Sequence, residues 1–175
     1  NNFLSGLILI FSRTLHEGDV IDVGNLQGVV RKISVRATTV ETFDNAIIFV
    51  PNSEFVSNRL INWTRNGRIV RREVAIGVAY GTDPKLVERL LVEVAQSVPQ
   101  IVRRPQPFVL FMDFADSTLN FVLRYWSDIG TATDAASAIR HRIVEVFAEH
   151  QVEIAFPQLD VHVIPQTPSL TRAEG

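Results

Sequence analysis

The chain has 175 residues, a formal net charge of −2 and no cysteine. That length accommodates one domain or two small ones. Near-balance between 17 basic and 19 acidic residues excludes a global attraction to nucleic acid, and the lack of thiols excludes disulfides and thiolate metal sites.

The opening Asn1-Asn2 has neither an initiator Met nor a basic leader, so the chain reads as a fragment of a longer one. Residues 3–15 (FLSGLILIFSRTL) are almost wholly apolar before Arg13, a run far shorter than the roughly 20 residues that cross a bilayer as a helix. A helix here would gather Phe3, Leu4, Leu7, Ile8, Phe11 and Leu15 on one face. That stripe fits a membrane edge, with Arg13, Arg31, Lys32 and Arg36 as the basic flank. It fits packing on the domain's own core equally well, and periodicity alone does not choose.

Residues 18–21 open a β-rich region. Three runs follow at residues 27–35, 36–43 and 46–50, rich in the branched and aromatic side chains that suit a pleated, half-buried surface. Separated only by short breaks, they predict a small, strongly bent antiparallel barrel. Gly28 stands where a strand could bend or bulge, Asp44-Asn45 suits a tight hairpin, and Pro51 ends the last run by removing a ladder donor. Residues 52–58 predict a turn of helix, and residues 59–64 close the region. Asn66-Gly67 marks the boundary, giving a leader at 1–16 and a β domain at 17–66.

Beyond it the pattern changes. Residues 70–79 alternate as a strand with one buried face, and Asp83-Pro84 then caps a helix with Leu86, Leu90, Leu91, Val94 and Val98 inward. After Pro105-x-Pro107, residues 108–114 and 119–126 predict two strands joined as a hairpin. Thr131 or Thr133 is placed to cap a second helix with Ile139, Ile143, Val146 and Phe147 in its core stripe. A short strand at 152–155 completes β-α-β-β-α-β, a ferredoxin-like plait over 67–156. Residues 159–164 alternate once more and form either an edge strand or one that pairs with another copy; the polar tail 165–175 is expected to fray.

No nucleophile–base pair, Walker loop or G-x-G-x-x-G is present. The four histidines are dispersed, and Asp113 and Asp116 are ordinary turn acids. The one marked charge feature is Arg59, Arg65, Arg68, Arg71 and Arg72 at the domain joint. It reads as a site for phosphate, lipid headgroups or permeating anions, or as a solvated face paired to acids such as Glu73. Trp63 is assigned to the core, and without interleaved exposed aromatics no nucleic-acid partner is expected.

The motifs Gly18-Asp19-x-Ile21, Gly28-Val29-Val30-x-x-Ile33-x-x-Arg36-x-Thr38-Thr39, Val50-Pro51-Asn52 and Ile61-Asn62-Trp63 resemble the small-conductance mechanosensitive channel family. The likeness continues through Gly77-Val78-Ala79-Tyr80, Asn120-Phe121-Val122-x-Arg124-x-Trp126 and Phe156-Pro157-Gln158-x-Asp160-Val161. It implies an α+β chain in which an Sm-like β barrel is followed by the ferredoxin-like domain and a C-terminal strand. It implies further a homoheptamer at the bacterial inner membrane, this region lying on the cytoplasmic side of a tension-gated channel that releases ions and small osmolytes on hypo-osmotic shock. No cofactor and no enzymatic role are implied. By the same resemblance Asn2, Gly6, Phe11 and Arg13 belong to the end of the pore-lining helix at the membrane edge. Gly28, Arg36, Thr38, Thr39, Pro51 and Asn52 belong to the β ring, and Gln158, Leu159, Asp160, Val161 and Val163 to a barrel of C-terminal strands.

The sequence departs from the family in reading Arg13-Thr14 where Arg-Pro is frequent, which loosens the helix-to-β junction. The membrane-crossing helices and the gate that would precede Asn1 are absent from it. A free-standing Sm-like ring that binds single-stranded nucleic acid, and a small enzyme on the plait, are the alternatives; neither accounts for the apolar leader.

Overall fold

The β domain grows from strands too short to be stable alone. In the computed structural model, which describes residues 2–158 apart from the side chains of Ile10 and Phe11, they pair into one antiparallel sheet. Helix α1 (Asn2–Ser12) precedes β1 (Val20–Val23), β2 (Leu26–Ile33), β3 (Ala37–Glu41), β4 (Ile47–Pro51), the short α2 (Asn52–Ser57) and β5 (Leu60–Asn62). The strand order is β4-β3-β2-β1-β5. Among the described residues β4 and β5 do not pair, so the predicted barrel is an open five-stranded sheet. Its core gathers Leu9, Leu15, Ile21, Val23, Val30, Val40, Val50 and Phe55.

Two local expectations resolve differently. Asn45 takes φ 64°, and Thr42 and Ala46 close the predicted hairpin through a backbone bond of 2.9 Å. Gly28, by contrast, does not bulge. The register shift falls between Val30 and Lys32, and Gly28 is required because a Cβ there would lie 2.7 Å from Val40 Cγ1 and against the Glu41 carbonyl.

The second domain runs β6 (Ile69–Val78), α3 (Pro84–Ser97), β7 (Phe108–Phe114), β8 (Leu119–Asp128), a 3₁₀ turn (Ile129–Thr131) and α4 (Ala132–Glu149). Its sheet order β6-β8-β7 is that of the plait, with β8 central. Alternate residues of β8, from Leu119 to Ser127, point into the core under the two helices. The predicted fourth strand shrinks to one bridge, Val78 to Ile154, flanked by backbone bonds of 3.0 Å. Asp83 caps α3 through Lys85 N at 3.0 Å. At α4 neither Thr131 nor Thr133 supplies the cap; Asp128 instead accepts from Gly130 N at 2.7 Å at the start of the 3₁₀ turn. The predicted strand at 159–164 and the tail lie outside the described residues.

A bidentate ion pair fastens the start of β6 to the end of β8. Arg68 Nε and Nη2 donate to Asp128 at 2.9 and 3.0 Å, and Ile129 N donates to the Arg68 carbonyl at 2.8 Å. The Arg68 hydrogen bond first, and the Gly130 N–H second, hold the Asp128 carboxyl below its ordinary range. A depressed carboxylate stabilises the fold above its unfolded value, about 4, and that contribution is lost as pH falls through the folded value. The melting temperature of Asp128→Asn is therefore expected to fall less steeply than that of the parent below about pH 4. Thermal melts across an acid series measure the difference.

Candidate functional site

The described residues hold no group of three acidic, His or Cys side chains able to bind a metal. The most constrained polar arrangement lies elsewhere, where α1 meets the β domain. Asn52 is fully buried at the start of α2. A buried amide has to find partners inside the chain. Its backbone N–H donates to the Arg36 carbonyl at 3.1 Å, its Nδ2 donates to the Ser34 carbonyl at 2.8 Å, and its Oδ1 accepts from Thr38 Oγ1 at 2.8 Å. These bonds pin the β2–β3 turn to α2.

Helix α1 lies on the surface thus formed. A Cβ at Gly6 would stand 2.6 Å from Asn52 Nδ2 and even closer to the Val35 carbonyl oxygen, so only glycine permits this approach. Ser5 and Leu9 are buried beside it. Asn2 Oδ1 accepts from Ser53 N at 3.1 Å, satisfying a first-turn donor of α2 that its own N-cap, Pro51, has no side chain to reach. At the far end Arg13 takes φ 50° and ends the helix.

The predicted apolar stripe divides, with Leu15, just past α1, buried in the β-domain core. Leu4 is 57% exposed and Ile8 46%, whereas the buried residues of the helix are Ser5, Gly6 and Leu9. Of the predicted ring residues, Thr38 and Asn52 sit wholly inside the chain. Arg36 contributes through its carbonyl, Thr39 pairs with Lys32 and Phe49, and Pro51 ends β4 opposite Ala37. Gln158 N donates to Ser117 Oγ at 3.3 Å, tying the described end of the chain to the β7–β8 hairpin. Leu159, Asp160, Val161 and Val163 fall outside the described residues.

Three of the five clustered arginines take separate partners. Arg68 takes Asp128, Arg65 approaches His16, and Arg72 lies over Trp63 at 5.5 Å. Glu73 pairs with Arg124 instead of the cluster, at 3.2 Å. Trp63, assigned to the core from sequence, is 37% exposed under that guanidinium. Sequence reasoning also missed the roles of Ser34 and Val35, because both act through backbone carbonyls that any residue supplies.

Thr38→Val keeps the shape and strands Asn52 Oδ1, so unfolding free energy is expected to drop by about 1–3 kcal/mol in urea titration with an unchanged slope. Gly6→Ala places a methyl group against Val35. Amide hydrogen exchange across residues 7–12 is expected to accelerate about tenfold or more while α3 and α4 keep their protection.

The comparisons agree over both domains. Residues 1–65 match the family described as mechanosensitive ion channel, beta-domain, and residues 73–154 match mechanosensitive ion channel MscS, C-terminal. An MscS family protein of Haemophilus influenzae is 42% identical, and the Escherichia coli mechanosensitive channel MscK 37%, each over 93% of this chain and 15% of the relative. The chain thus spans about a seventh of the length of these relatives. The closed-state crystal structure of Helicobacter pylori MscS superposes with a TM-score of 0.85 at 28% identity, over 94% of this chain and 65% of that one. Among the described residues no helix is long and apolar enough to cross a membrane. With both of its domains matched in order, this chain belongs to the MscS family of mechanosensitive ion channels.

Proposed function

We propose that the chain forms the cytoplasmic vestibule of a tension-gated channel that releases ions and small osmolytes on hypo-osmotic shock. It would do so as a homoheptamer at the bacterial inner membrane, held in the bilayer by helices N-terminal to Asn1. The observation that carries this reading, beside family membership, is the pair of β-sheet edges that no described strand covers. On β4, Ile47 is 50% exposed and Phe49 71%, and β5 is the opposite edge with Ile61 39% exposed. An apolar, unpaired edge is a template for another strand. If β5 of a second copy lies along β4, repetition of that heterologous contact closes a ring.

Two further features support the reading. The outward face of α1 presents Leu4 and Ile8 to a bilayer surface, and its inward face is locked to the β domain through Gly6 and Asn52. Bilayer tension favours whichever state occupies more membrane area, so it works on the missing helices and not on this region. The region's contribution is a fixed platform, a mechanical path through α1, and a vestibule whose openings filter solutes by size and charge. Segment 159–164, with Leu159, Asp160, Val161 and Val163, is assigned to the barrel at the vestibule's base.

Light scattering is expected to show the parent chain at seven times the subunit mass and the Ile47→Lys, Phe49→Lys variant at the mass of one subunit. A heptamer that survives both substitutions, with circular dichroism unchanged, would falsify assembly through the β4 edge.

A further inference from the structure

Between the β domain and α4 lies a cleft of 1140 Å³, comparable to the roughly 300–1,000 Å³ of small-molecule sites. Phe43 and Trp63 reach it from the first domain, and Tyr125, Arg140 and Val144 from the second. Its floor holds an anomaly. Tyr125 is fully buried, yet its hydroxyl has no hydrogen-bond partner among the described residues, and buried phenols ordinarily find one.

The charges around that hydroxyl are unbalanced. Arg72, also lining the cleft, stacks on Trp63, and Arg140 donates only to the Ala136 carbonyl of its own helix at 3.2 Å. Neither has an acidic partner among the described residues. The acids at the cleft are engaged elsewhere, Glu73 with Arg124 at 3.2 Å and Glu145 with Arg142 at 2.7 Å. Burial pushes the Tyr125 phenol above its ordinary value against the opposing pull of the Arg140 and Arg72 charges. The phenol is therefore protonated near neutrality and available as a donor.

We infer that this cleft binds a small soluble phosphomonoester, its phosphate held by Arg72 and Arg140 and accepting a hydrogen bond from Tyr125, its apolar body against Phe43, Trp63 and Val144. Guanidinium forks suit a dianion, and the apolar wall demands more than an inorganic ion. Because the walls come from both domains, the bound ligand bridges them.

Calorimetric titration of the whole chain with phenyl phosphate, phenol and inorganic phosphate tests the assignment. Phenyl phosphate is expected to bind one per chain and about tenfold or more tighter than either part alone. Arg140→Gln and Tyr125→Phe are each expected to weaken it about tenfold without altering the melting temperature materially. Should either variant fold poorly, Arg72→Gln provides the same reading through the second cation. No saturable binding of phenyl phosphate, or binding unchanged in well-folded variants, overturns the site.

Discussion

Asn52 carries an amide into the dry interior of the β domain, where every polar atom left unpaired costs about 1–3 kcal/mol. All its bonds are made to the β2–β3 turn and β3, at Ser34, Arg36 and Thr38. Apolar burial is non-directional and would tolerate several placements of that turn. A satisfied amide tolerates one. The turn so fixed exposes the Val35 carbonyl along a line that a helix can follow only if it carries no side chain at Gly6. The position of α1 thus depends on a polar network in a neighbouring loop.

The two domains are held by different means. The plait relies on a continuous apolar core, with Phe121, Leu123 and Tyr125 of β8 fully buried beneath α3 and α4. Within the β domain the core is smaller and the polar latch does more of the specifying. Across the boundary, the guanidinium of Arg72 on β6 lies over the Trp63 ring of the first domain at 5.5 Å, while the bidentate Arg68–Asp128 pair and the Ile129 backbone bond fasten β6 to β8 inside the plait. The cleft opens beside the Arg72–Trp63 contact, and both residues are in its lining.

How much of this was legible depended on whether the determining force acts locally. The plait was read correctly because a central strand writes its environment as a period of two, as 119–128 does, and because Asp83-Pro84 is a helix start in any context. The Asn45 hairpin was legible for the same reason. The buried face of α1 was not. Hydropathy groups Leu4 and Ile8 in one stripe without saying which way it faces, whereas the contact is made by Ser5, Gly6 and Leu9, and the smallness that permits it does not register as hydrophobicity. Nor could periodicity show that Asn52 and Thr38 meet, since the partners are drawn together by a turn. Closure of the sheet is not legible: three closely spaced β runs predict a barrel, but whether edges meet is a property of the whole arrangement. Trp63 was assigned to the core on composition, and the cation above it came from across the domain boundary.

One contact of Asn2 extends this picture. The first turn of α2 receives its acceptor from a different helix, Asn2 Oδ1 on Ser53 N. A six-residue helix is marginal by itself, and a borrowed cap makes its winding conditional on where the lender sits. Pulling α1 away withdraws the acceptor from α2, and α2 begins with the residue that holds the β2–β3 turn. The two helices are therefore thermodynamically linked, each raising the other's occupancy by the same factor. A load applied along one is registered as fraying in the other.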